Sequence, residues 1–235
     1  RQTNQDSFYA GYITPDVLLC AVCDGMGGTN GGQVASAIAV ARFEKELRDS
    51  LRDDMDIPQL RQAMLSAIAC ANDAIRQEAA RNAEYQHMGT TLVCAVTRSD
   101  MAVIGNIGDS RAYHITPEGI FQISRDHSVV ENMVAKGDLT PLEARTHPNR
   151  NLITRALGPD IHAKADAFEL PWHKDEFLLL CSDGLVNTVS DQEMLFEVLH
   201  DGDVNECLDH LLQISLQRGA PDNITAVLLL NGEGR

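Results

Sequence analysis

Apolar residues recur along this chain in two patterns. Compact apolar runs bounded by turn residues predict strands near Phe8 to Ile13, Val17 to Cys23, Thr90 to Thr97, Met101 to Ile107, Arg111 to Ile115, Ile120 to Ile123, Phe177 to Cys181 and Ile224 to Leu230. Helical spacing of Val34, Ile38, Ala41, Leu47 and Leu51 predicts an amphipathic helix over 32–53, and Leu60, Met64, Ile68, Ala71 and Ile75 a second over 58–85. The close-set strands from Thr90 to Ile123, with Pro117-Glu118-Gly119 as turn chemistry, read as an antiparallel meander. Val129 to Lys136 reads as a short helix stopped by Gly137. Thr140-Pro141-Leu142-Glu143 and Ser190-Asp191-Gln192-Glu193 are capping boxes, the second opening a helix to His200 that is followed by another from Val204 to Leu216.

The order of strands, helix pair, meander, irregular polar stretch, strand, helix pair and strand predicts an α+β fold of two sheets with helices on both outer sides. No repeat, low-complexity tract or linker interrupts it, so 1–235 reads as a single domain. The stretch 129–151 reads as an irregular flap beside the functional cleft, positioned to help choose substrates.

Two of the apolar runs pass straight into an Asp-Gly step, at Asp24-Gly25 and Asp183-Gly184, while Asp109 follows a third run and Asp222 precedes the last. Carboxylates at the ends of buried strands are costly unless a positive charge meets them, and oxygen-only donors suit magnesium or manganese. No Cys/His spacing of a zinc site is present. Gly25-Met26-Gly27-Gly28 supplies a tight turn after Asp24. It fails the dinucleotide-binding pattern at Asn30 and the calcium-loop pattern at Ala35.

A net charge of −15 opposes nucleic acid and anionic membrane as partners. The longest apolar stretch, Val17 to Cys23, is far short of the ~20 residues that span a bilayer. A cytoplasmic monomer is expected. Cys20 and Cys23 lie three apart on one strand and so point to opposite faces, where they pack as small core residues rather than bridge.

Arg1-x-x-Asn4-Gln5-Asp6, Asp24-Gly25-Met26-Gly27-Gly28, Gly105-Asn106-Ile107-Gly108-Asp109-Ser110-Arg111, Arg125-Asp126-His127-Ser128, Ser182-Asp183-Gly184 and Asp222-Asn223 occur in order across nearly the whole chain. In this the chain resembles metal-dependent protein serine/threonine phosphatases of the PPM type, in particular the bacterial branch. The resemblance implies a four-layer αββα sandwich with two mainly antiparallel sheets flanked by helix pairs. It further implies hydrolysis of phosphoserine and phosphothreonine in proteins by a hydroxide bridging two manganese or magnesium ions, opposing a Ser/Thr kinase. By the same resemblance, Asp24 bridges the two ions, the Gly25 carbonyl binds one, and Asp183 and Asp222 bind the other. Asp109 with Asp183 holds a third, weaker ion; Asp6 orients water, and Arg1 clamps phosphate.

Met26 and Thr29 stand where relatives carry histidine, which leaves proton donation to a metal-bound water or, second, to His147. Gln5 stands where animal members carry glutamate and predicts looser binding of the second ion. A cysteine phosphatase built on Cys70 and Arg76 fails on context, because that spacing lies inside a helical pattern without glycine; the alternatives are a catalytically weak or inactive phosphoprotein-binding relative and a hydrolase of small phosphate esters.

Overall fold

A computed structural model describes residues 3–200 and 204–232. Strands β1 (Asp6–Thr14), β2 (Val17–Met26), β3 (Gly89–Thr90), β4 (Leu92–Arg98), β5 (Met101–Ile107) and β8 (Asp166–Pro171) form one sheet, in the order β1-β2-β4-β5-β8 with β3 on β2. Strands β6 (Arg111–Thr116), β7 (Gly119–Gln122), β9 (Phe177–Cys181) and β10 (Ala226–Leu230) form the other, in the order β10-β9-β6-β7. Helices α1 (Gly28–Ser50) and α2 (Ile57–Arg81) cover the first sheet, and α5 (Asp183–Val186), α6 (Asp191–His200) and α7 (Val204–Gln217) the second. The four layers enclose three apolar seams. Phe43, Met64 and Val96 lie between helices and first sheet, Val22, Ile104 and Leu180 between the sheets, and Tyr113, Leu179 and Met194 beneath the second helix layer.

Strand alternation places Cys23 in the outer seam and Cys20 between the sheets, as their spacing requires. The expected meander is not one sheet. β4 and β5 pair in the first sheet, β6 and β7 in the second, and the chain crosses between layers at Gly108-Asp109. That crossing is what carries Asp109 to the end of the sandwich.

β8 has no counterpart among the expected strands, because its residues are only half-buried and its apolar signal is weak. Of the predicted stripe of α1, Leu47 is buried and Val34, Ile38 and Leu51 pack at the core's edge, while Ala41 is exposed; Ala35, Ala39 and Phe43 complete the buried face, and the small alanines let this helix approach the sheet. Within 129–151 the chain forms the expected short helix α3 (Val129–Lys136) and, after the expected capping box, α4 (Pro141–Thr146). Gly137 ends α3 at φ 82°, and the capping box of Thr140 and Glu143 starts α4.

Candidate metal centre

Asp24 lies within β2 rather than at its end, opposite Asp6 in the antiparallel register with β1. Asp183 is the first residue of α5, one position beyond Ser182, and Asp222 precedes β10. Asp6 joins the two sheets: its Oδ2 accepts hydrogen bonds from Ser182 Oγ (2.9 Å) and Thr225 Oγ1 (2.8 Å), both from the second sheet's side. Arg1 lies outside the described residues.

Both Asp-Gly steps are built alike. A Cβ on Gly25 would sit 2.0 Å from the Gly32 carbonyl oxygen and 2.6 Å from that of Gln5, and one on Gly184 would sit 2.0 Å from the Asn223 carbonyl oxygen. Each glycine therefore lets a second backbone segment close in, bringing Asp6 beside Asp24 and Asp222 beside Asp183. Gln5 N–H donates to Asn223 Oδ1 (3.1 Å) and fastens the two pairs together.

Thr91 ties Asp24 to the Asp109 crossing. Its Oγ1 accepts the Asp24 N–H at 2.9 Å and meets Ser110 Oγ at 2.7 Å. Gly108, at φ 110°, packs against the Thr91 side chain where a Cβ would not fit. Arg111 forms a forked pair with Asp126 (2.7–3.1 Å), which commits its guanidinium within the protein.

The electrostatics record the crowding. Burial, followed by the charges of Asp6, Asp183, Asp109 and Asp222, pushes Asp24 up to about 9. Burial and then Asp183 push Asp109 up to about 7. Asp6 and Asp183 are also raised, chiefly by burial. Asp6 Oδ1 and Asp183 Oδ1 are buried without a hydrogen-bond partner. Among the described residues no group of three or more His, Cys, Asp or Glu side chains is posed as a ready cage for an ion. The fit to a hard divalent cation rests instead on the oxygen-only donor set and on those two orphaned oxygens, which a cation would satisfy.

A pH dependence follows for the cation-free protein. Asp24 keeps in the folded state a proton that the unfolded chain, near the ordinary 3.8, gives up, so stability falls as pH rises from about 4 towards about 9. Asp109 adds to the loss up to about 7. Manganese at 100-fold its dissociation constant is expected to restore about 2.7 kcal/mol, or roughly 5–11 °C in unfolding temperature at this chain length. At a fixed manganese concentration the gain should be largest at high pH, where the carboxylates are ionised and affinity is highest. A melting curve indifferent to both pH and manganese would contradict this electrostatic picture.

Asp109, Asp183 and Asp222 line a cleft of about 990 Å³ that Val134, Pro141, Arg145 and Arg150 of the flap also line. Asp6 lines a smaller cavity of about 340 Å³ between β1, α7 and β10. His147 is not among the residues lining the cleft; it caps α4 and its Nδ1 accepts the Asn149 N–H. Gln5 Nε2 donates to the Gly28 carbonyl at 2.8 Å, a contact that a carboxylate could not make. Cys70 and Arg76 lie inside α2, where no loop can wrap amide groups around a phosphate, which removes the basis of the cysteine mechanism. Sequence reading did not single out Thr91, Ser182 or Thr225 as supports, and gave His127 no role.

The family model "Protein phosphatase 2C" matches residues 1–228. "Serine/threonine protein phosphatase PstP" of Mycobacterium tuberculosis is 35% identical over 229 residues, covering 97% of this chain and 42% of that protein. The chain therefore spans less than half the length of that relative. "Serine/threonine phosphatase stp" of Listeria monocytogenes is 33% identical over 211 residues, covering 90% of this chain and 83% of that protein. The crystal structure of the serine/threonine phosphatase Stp1 from Staphylococcus aureus superposes with a TM-score of 0.90 at 36% identity, covering 100% of this chain and 91% of that one.

Proposed function

From a chain that belongs to the protein phosphatase 2C family, we propose metal-dependent hydrolysis of phosphoserine and phosphothreonine in proteins, with Asp24, the Gly25 carbonyl, Asp109, Asp183 and Asp222 as metal ligands. The observation that carries this reading is the convergence of carboxylates from β2, the β5–β6 crossing, α5 and the segment before β10, with buried oxygens left unpartnered. The family is metal-dependent, generally with manganese or magnesium. We assign two ions and a third, weaker one. When bound, they supply Lewis acidity towards the phosphoryl group and the attacking water.

The chain's own groups do the rest. Asp6, fixed at Oδ2 by Ser182 and Thr225, presents Oδ1 to orient water and hold its proton, a role suited to a carboxyl raised by burial. Arg1 clamps the phosphate by resemblance. Arg145 and Arg150 line the same cleft as Asp109, Asp183 and Asp222, which supports a 129–151 flap that meets the polypeptide around the phosphorylated residue. The proposal includes an opposing Ser/Thr kinase, a monomeric catalytic domain over 1–235 and a cytoplasmic location. No helix among the described residues is long and apolar enough to cross a membrane.

Phosphate release from a phosphothreonine peptide, measured beside p-nitrophenyl phosphate, tests the reading. Manganese-dependent release that disappears with excess chelator and favours the peptide is expected. A folded, manganese-loaded protein that releases nothing would point to a binding protein, and one that prefers the small ester to a different substrate class.

A further inference from the structure

His127 belongs to a sequence motif with no part in the chemistry above, yet it is only 5% exposed and makes contacts on every side. Its backbone N–H donates to the Gly108 carbonyl (2.8 Å), and its ring Nδ1 accepts the Gly108 N–H (3.2 Å). Gly108 is thus gripped through both of its peptide groups immediately before Asp109. Because Nδ1 accepts, the neutral ring carries its proton on Nε2, which donates to Asp166 Oδ2 at 3.1 Å. Arg155 also holds Asp166 (3.1 Å) and stands 3.1 Å from Nε2, where burial first and then its charge oppose a second proton on the ring.

The same residue closes the neck of the flap. Thr154 N–H donates to the His127 carbonyl (2.7 Å), Val129 N–H to that of Leu152 (2.8 Å), and Ser128 bridges Ile153 while capping α3. The backbone around His127 therefore joins the flap's two roots, while its ring ties the edge strand β8 to the Asp109 crossing.

We propose that His127 is a positioning residue that fixes the Asp109 carboxylate for cation binding by holding Gly108, with Asp166 and Arg155 setting its ring orientation. The proposal rests on the metal-centre reading above. A ring nitrogen that holds a neighbour's peptide while its other nitrogen is anchored to a carboxylate sets both tautomer and angle, and such supports typically govern cation affinity by 10–100-fold.

The test compares His127→Gln, His127→Asn, Asp109→Asn and the double variant His127→Gln/Asp109→Asn with the unmodified chain. Manganese is titrated and the rise in unfolding temperature followed beside calorimetric binding. An asparagine amide oxygen takes the place of Nδ1 and still accepts from Gly108, whereas the glutamine amide reaches towards Asp166 and leaves the Gly108 N–H without its acceptor, the backbone bond to the Gly108 carbonyl persisting in both. His127→Gln is expected to need about 10-fold more manganese for half-saturation of the weakest site, His127→Asn only about 2-fold more, and the double variant no more than Asp109→Asn. A purely structural role would lower the cation-free unfolding temperature and leave half-saturation unchanged. That outcome overturns the proposal, as does a loss in the double variant that adds to that of Asp109→Asn. An unmodified chain indifferent to manganese in both measurements would instead overturn the metal centre itself.

Discussion

Asp183→Asn is expected to reduce phosphopeptide turnover by about 100-fold or more, since even outer supports of a metal ligand cost 10–100-fold, while the cation-free protein melts at a higher temperature than the unmodified chain. The two effects have one cause. Asp183 is half-buried, raised by burial and then by Asp222, and carries one buried oxygen without a partner. Its other oxygen accepts from Asn187 Nδ2 at 3.1 Å, a contact that an asparagine carbonyl can keep. Replacing the carboxylate with an amide of the same shape removes a like charge from the cluster and leaves the packing intact, so the cation-free fold gains. It also removes a ligand and one negative charge from the cation's surroundings, so the loaded enzyme loses. Turnover measured across a manganese titration, beside melting curves in chelator, checks both signs. Turnover within about 10-fold of the unmodified chain, or a lower cation-free melting temperature, would show that Asp183 is a structural acid rather than a ligand.

The carboxylates were legible in the sequence because each interrupts or borders an apolar run, and charge against apolar background is the signal least disturbed by tertiary structure. The layers were legible for the same reason: β2 is apolar on both faces because helices cover one side and a second sheet the other. Three features were not. The passage from β5 to β6 looks like a hairpin in sequence, since turn chemistry at Gly108-Asp109 serves a crossover between layers as well as a return within one sheet. β8 is an edge strand whose half-buried residues give no alternation to find. The first turn of α1 is rich in glycine, so its start at Gly28 lies four residues before the first apolar spacing would place it. Among the site's supports, Ser182, Thr225 and Thr91 are neutral hydroxyls, ordinary in any strand. Thr225 reaches Asp6 across 219 positions of sequence, a separation at which no local pattern carries information.

Gly184→Ala tests the geometry that makes these carboxylates neighbours, and a loss of about 3 kcal/mol is expected, equivalent to roughly 6–12 °C for a chain of this size. The added methyl would meet the Asn223 carbonyl oxygen at 2.0 Å, and a backbone atom cannot rotate away as a side chain would. The segment at 222–223 must therefore move. Asp222 would separate from Asp183, and Asn223 Oδ1 would withdraw from Gln5 N–H, loosening the anchor beside Asp6. Cation affinity should consequently fall with stability, and more than the stability loss alone would produce. Gly25→Ala, facing the Gly32 and Gln5 carbonyls, should behave alike from the opposite side of the site. Gly11→Ala supplies the comparison. It lies in the same β1 that carries Asp6, but its nearest neighbour is the Tyr9 hydroxyl at 3.3 Å, the far end of a side chain that can yield. Melting curves and manganese titrations of the three variants separate close backbone approach at the Asp-Gly steps from a general intolerance of side chains. If Gly184→Ala melted and bound manganese like Gly11→Ala, the segment before β10 would be free to shift without cost, and its contact with α5 could not be what places Asp222 beside Asp183.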